Sequence, residues 1–114
     1  MENQTIYEVT VVVDKESAEK VESFIEKHVN EVVLLDNGTL FKSGTINKLK
    51  STDTNSNTVS FINQYYPVSQ QTLEHYFKVH GPRISREVKS EFQDKNITIT
   101  PRVYTVFKEF LSTN

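Results

Sequence analysis

"TVSFINQYYPVSQQTLEHYFKVHGPRISREV", residues Thr58 to Val88, changes its period within a few residues, and that change decides the fold. Up to Tyr66, Val59, Phe61, Asn63 and Tyr65 alternate with Ser60, Ile62, Gln64 and Tyr66, the period of a strand. Pro67 stops the strand. Ser69 is then a helix N-cap residue, and Val68 with Leu73 match a hydrophobic staple across it. Leu73, Tyr76, Phe77 and His80 mark one helical stripe. Gly81 fits a helix end and Pro82 the first turn of a new helix, after which Ile84, Val88 and Phe92 recur every four residues. The stretch therefore predicts a strand followed by a helix broken near Gly81-Pro82.

Toward the N-terminus, the polar loop Ser51–Asn57 joins this strand to a weaker one, "TLFKSGTINKLK" (Thr39–Lys50), so the two form a hairpin. Gly44 within it signals a bulge or a close backbone approach. Earlier, Ala18, Val21, Phe24, Ile25 and Val29 make a helical stripe, with Asp14 as its cap and Glu16 at the positive end of the dipole. "NEVVLLDNGTL" reads as leaving that helix, with a turn at Asn37-Gly38. In the opening strand, "TIYEVTVVVD", Tyr7, Val9, Val11 and Val13 face one way and Glu8, Thr10 and Val12 the other. Toward the C-terminus, "NITITPRVYTVF" is a last strand. Ile97, Ile99, Val103, Thr105 and Phe107 share one face; Thr98, Thr100, Arg102, Tyr104 and Val106 share the other. Pro101 demands an edge position or a bulge.

The element order is strand, helix, strand, strand, broken helix, strand. It predicts an α+β, ferredoxin-like βαββαβ domain over residues 1–114. Right-handed crossovers give a four-stranded antiparallel sheet of order 4-1-3-2 with both helices on one face. The other face is assigned Glu8, Thr10, Val12, Ile46, Ile62, Gln64, Tyr66, Arg102 and Tyr104. That mixture is too apolar for plain solvent and too polar for a core, and suits a homodimer contact around a ligand cleft.

Composition narrows the function. At 36% hydrophobic and 25% charged residues the chain reads as an ordinary globular protein, and a net charge of −2 gives nucleic-acid binding no support. No cysteine is present, which excludes disulfides, thiolate zinc sites and a cysteine nucleophile. No apolar run reaches a membrane span, and Met-Glu-Asn-Gln-Thr lacks the regions of a signal peptide, so the cytoplasm is the expected location. The sequons at Asn3, Asn37 and Asn96 are then chance matches.

No catalytic motif occurs. His80 sits before the helix break and is read as a packed histidine bonding a free carbonyl, or as an acid–base group. His28 lies near a helix end beside Phe24 and Ile25, and His75 on a solvated side. The three histidines lack metal-ligand spacing, so neither a metal nor any other cofactor is expected. Arg83 with Glu87 and Arg86 with Ser90 are surface pairs at helical spacing. Arg102 shares a face with Glu8 on the strand expected beside it. It is either half of a cross-strand ion pair or an anion-binding group, with Gln64, Tyr66 and Tyr104 as further donors.

Five segments in order, "IYEVTVVVD", "HVNEVV", "FINQYY", "YFKVHGP" and "PRVYTVF", resemble the domain-of-unknown-function family 4286 over nearly the whole chain. The resemblance implies kinship with the dimeric α/β-barrel proteins, which include antibiotic-biosynthesis-type monooxygenases; it implies fold and dimerisation, not a reaction. Where an arginine often stands three residues after the family's proline, this chain has Ser85. Three functions follow as expectations: a dimer that binds a small molecule, a cofactor-independent enzyme of monooxygenase or isomerase type, and a protein-interaction module.

Overall fold

The computed structural model describes residues 4–50, 56–93 and 95–113; Asn3 and most of the polar loop Ser51–Asn57 fall outside these. Strand β1 (Thr5–Asp14) leads through a short 3-10 turn (Lys15–Ser17) into helix α1 (Ala18–Gly38). Asp14 caps this entry by accepting a hydrogen bond from the Ser17 N–H at 2.8 Å. Val21, Ile25, Val29 and Val32 form the buried stripe of α1. The helix thus runs about a turn beyond the expected end, because Val32 extends the apolar face. It stops where Asp36, Asn37 and Gly38 adopt φ of 52°, 59° and 74°. Glycine and, less readily, Asx residues tolerate that region, so the turn signal at Asn37-Gly38 was sound.

Strands β2 (Phe41–Lys48) and β3 (Thr58–Pro67) form the hairpin, and β4 (Ile97–Thr105) closes the sheet. The order is β2-β3-β1-β4, which is 4-1-3-2 read from the other edge. Each ladder is antiparallel. Pro101 lies in edge strand β4 opposite Val9, as its missing N–H requires.

One face assignment changes. The β2–β3 register slips between Phe41 and Ser43, which reverses side-chain parity downstream. Ile46 therefore packs against the helix-side core, not on the open face. Gly44 shares that side: a Cβ there would stand 3.0 Å from Val33 Cγ2 and 3.1 Å from Val29 Cγ1 of α1. The glycine permits a close helix–sheet approach.

After Pro67, Ser69 opens α2 (Gln70–His75) with a reciprocal cap. Its hydroxyl accepts from the Thr72 N–H at 3.1 Å, and its own N–H donates to Thr72 Oγ1 at 3.0 Å. A π-helical turn (Tyr76–His80) links α2 to α3 (Gly81–Phe92). The break expected near Gly81-Pro82 is thus a widened turn and not a stop. Gly81 is helical, with φ −52°, and its N–H donates to the Tyr76 carbonyl five residues back. Pro82 supplies the cause: it has no N–H, and its ring clashes with the carbonyl four residues earlier. The core between helices and sheet gathers Val11, Val13, Phe41, Phe61 and Tyr65 from the strands with Leu73, Tyr76, Ile84 and Phe92 from the helices.

Candidate functional site

A cavity of about 520 Å³ lies between the helices and the β1–β4 half of the sheet. That volume is within the range of small-molecule sites. Its walls are mainly apolar and aromatic: Tyr7, Val9, Phe24, Tyr65, Tyr76, Ile84, Val88 and Ile99, with Asn63, His28, Ser85 and Lys89 as polar members. Asn63 decides its character. It sits in central strand β3, 3% exposed, and its side-chain oxygen has no hydrogen-bond partner among the described residues. A buried amide oxygen left unpaired costs stability, so it marks a place for a donor.

The aromatic wall is ordered. Tyr7 stacks on Tyr65 with ring centroids 5.5 Å apart and meets Phe77 edge-on at 5.0 Å. Burial raises the Tyr7, Tyr65 and Tyr76 phenols above their ordinary range, with mutual repulsion adding to the rise for the latter two. They remain neutral, and none is tuned to act as a base near neutral pH. His28 stacks on Phe24 at 5.5 Å. Burial lowers its pKa, against the opposing pull of Glu31 and Glu87. Ser85, where the family resemblance led us to look for an arginine, lines the cavity.

The five residues singled out on the open sheet face are brought together there. Arg102, Glu8 and Gln64 stand in one cross-strand row. Gln64 Nε2 donates to Glu8 Oε1 at 3.1 Å, and the Tyr66 hydroxyl donates to Gln64 Oε1 at 3.0 Å. A hydrogen bond to Glu8 and the nearby carboxylate charge raise the Tyr104 phenol. Glu8 is buried although it lies on the face away from the helices. Arg102, despite its register opposite Glu8, is exposed and makes no ion pair or hydrogen bond among the described residues. The cross-strand ion pair is absent because Glu8 turns to Gln64 and Tyr104.

His80 packs near Tyr76, with ring centroids 6.4 Å apart, and its side chain is 15% exposed. It bonds not a carbonyl but the Asp36 carboxylate, Nε2 to Oδ1 at 3.2 Å. His75 is not merely solvated: its Nε2 lies 3.3 Å from Asp36 Oδ2. Arg83 does pair with Glu87 at 2.9 Å, and also with Glu31 at 3.4 Å. Sequence reading missed Asn63 as a site residue, since a lone asparagine in an apolar strand face carries no motif; its polarity at a core position was the available signal.

The sequence matches the domain of unknown function DUF4286 over residues 4–106. The chain belongs to this family. No curated protein matches it in sequence. Solved structures share the DUF4286 chain's fold at low identity. A hypothetical Arabidopsis thaliana protein is 18% identical at a TM-score of 0.61, covering 97% of this chain and 96% of that one. A suggested monooxygenase from Shewanella loihica PV-4 is 13% identical at 0.60, covering 96% and 99%. A dimeric ferredoxin-like protein from an uncultured marine organism is 12% identical at 0.55, covering 94% and 99%. These likenesses show the fold. Among the described residues, no helix is long and apolar enough to cross a membrane.

Proposed function

We propose that this chain is a homodimeric small-molecule-binding protein whose ligand occupies the cavity between the helices and β1–β4. The observation that carries the reading is the buried Asn63 oxygen, which has no partner among the described residues, on a mainly apolar wall. It favours a largely apolar, ring-bearing ligand with one hydroxyl or amine that pairs with the Asn63 amide. Dimerisation is supported by the half-buried Val12 and Ile62 on the open face and by the exposed Phe107, Phe110 and Leu111 after β4. Apolar side chains wholly or partly exposed at both places favour burial against a second copy. The dimeric marine protein of like fold adds an analogy.

Arg102 supports a second, acidic contact. Its guanidinium, without an ion pair or hydrogen bond among the described residues and on the open face with Gln64, Tyr66 and Tyr104, suits a carboxylate or phosphate. Among the described residues, none that lines the cavity is hydrogen-bonded as a nucleophile to a base, and the support lies with binding.

Native mass spectrometry tests the whole proposal by reporting the assembly mass and any co-purified compound. We expect twice the 13.2 kDa protomer mass. The ligand reading is tested with 2-naphthol against naphthalene, which differ only in the hydroxyl. The naphthol is expected to bind about three- to tenfold tighter, the worth of one hydrogen bond. Equal affinities would refute the role given to Asn63, and a monomer at micromolar concentration would refute the dimer.

A further inference from the structure

We propose that Asp36, His75 and His80 form a binding site for a divalent first-row transition ion such as Zn²⁺. One ligand atom from each of the three lies within 4.8 Å of the others. His80 Nε2 is 3.2 Å from Asp36 Oδ1, and His75 Nε2 is 3.3 Å from Oδ2. An ion bound at about 2.1 Å from each donor holds neighbouring donors about 3.0–3.4 Å apart; each histidine meets one oxygen of Asp36 at such a separation, so an ion between them would take the carboxylate through both oxygens or draw the donors together from within 4.8 Å.

The backbone on both sides is shaped to make the cluster. His75 and His80 are five residues apart, which in an α-helix places side chains on divergent faces. Between them runs the π turn Tyr76–His80, whose wider circuit returns the fifth residue to nearly the same side. Across from them, Asp36 holds φ 52° and ψ 43°, a left-handed conformation rare for a residue with a side chain. Thr39 fixes it there: its hydroxyl donates to the Asp36 carbonyl at 2.7 Å and its N–H to the same oxygen at 3.3 Å. Two irregular backbone features, 39 or more residues apart in sequence, thus converge on one group of donors. Such features gather at functional sites.

The donor set fixes the ligand class. Two imidazoles and one carboxylate suit zinc and its neighbours, whereas calcium and magnesium require oxygen donors. With three protein ligands, the ion keeps at least one position for water or another ligand. Binding replaces the proton on each Nε2, so each neutral imidazole binds as its Nδ1–H tautomer. His75 is half exposed, which gives the ion a path from solvent. None of the three residues lines the cavity, so this site stands or falls independently of the ligand proposed for it.

The test uses tag-free, chelator-dialysed protein titrated with Zn²⁺, followed by calorimetry and by the ring-proton resonances of the three histidines. We expect one ion per chain, displacement of the His75 and His80 resonances, an unmoved His28, and a melting temperature that rises with zinc and returns with chelator. Asp36→Asn keeps a residue tolerant of the left-handed backbone and removes the charge. Asp36→Asn and His75→Gln are each expected to weaken zinc by about tenfold or more. The ring resonances of the wild-type protein decide the matter even if a variant fails to fold. Absence of saturable uptake, uptake that shifts His28 instead, or uptake unchanged in both variants would reduce the cluster to a plain histidine–aspartate contact.

Discussion

Replacing Asn63 with leucine tests the site through stability as well as binding. The two side chains have the same branching and number of heavy atoms, leucine being the larger, and the position lies in central strand β3, opposite Val9 on one side and Ile46 on the other, beside a cavity that can take the added methyl hydrogens. The Asn63 oxygen is buried and has no partner among the described residues, which carries a desolvation penalty of about 1–3 kcal/mol. Leucine removes the penalty and adds apolar contact with a wall that already holds Val9, Val11 and Ile84. For a chain of this size each kcal/mol moves the midpoint by roughly 4 °C, so Asn63→Leu is expected to melt about 4–12 °C higher than the parent. The same change removes the acceptor, and the advantage of 2-naphthol over naphthalene is expected to vanish. Scanning calorimetry and fluorescence titration give the two readings. A variant that melts lower would refute the gain expected from removing the buried amide. A variant that still prefers the naphthol would show that the hydroxyl binds elsewhere. Stability gained where function is lost is the expected signature of a binding residue in a core.

Three further outcomes are expected. Gly44→Ala places a methyl within 3.0 Å of Val33 and 3.1 Å of Val29, and overpacking of this kind costs about 1–3 kcal/mol, read as a lower denaturant midpoint. His28 has a folded pKa depressed by burial, so the unfolded chain binds its proton first; stability held above about pH 6.5 declines as pH falls toward the folded value. His28→Phe, which keeps an aromatic ring beside Phe24, should lose less melting temperature than the parent between neutral and mildly acidic pH, and an unchanged difference would refute the assignment. Arg102→Leu is expected to keep its fold, since its guanidinium holds no partner among the described residues, and to lose whatever acidic ligand the open face binds; unfolding or undiminished binding would overturn the second contact.

The fold was legible because its signals were local and redundant. The alternation of β1 and β3, the stop at Pro67, the caps at Asp14 and Ser69 and the edge demand of Pro101 each constrain their own segment, and together they leave one topology. Errors arose where a long-range contact decides a local matter. Residues 30–34 were read as leaving α1, yet Val32 keeps them helical by packing beneath the sheet. Ile46 was placed on the wrong face because the one-residue slip near Phe41 is set by pairing with β3; Gly44 signalled a bulge in this strand but not its place or the parity it reverses.

The candidate sites show the same limit more sharply. The open-face group of Arg102, Glu8 and Gln64 was readable because strand period and topology fix which side chains form a row. Which partner Glu8 selects within that row was not, since it depends on rotamers and not on register. The helix-side cavity was invisible because its walls are the same apolar residues that define a core, and sequence does not report how closely two layers approach. A metal was set aside because the three histidines lack ligand spacing, which holds for an α-helix. The meeting of His75 and His80 at Asp36 was hidden because the turn before Pro82 is widened, and a wider turn changes which residues share a side. The stretch from His75 to Pro82 therefore carries two readings at once. Its proline disturbs the helix, and that disturbance aligns the two histidines with the Asp36 carboxylate. A Pro82→Ala variant separates them: if the turn relaxes to α-helical geometry, His75 and His80 diverge and zinc uptake should weaken with both ligands still present. Uptake unchanged in a variant whose π turn is lost would show that the turn is incidental to the cluster.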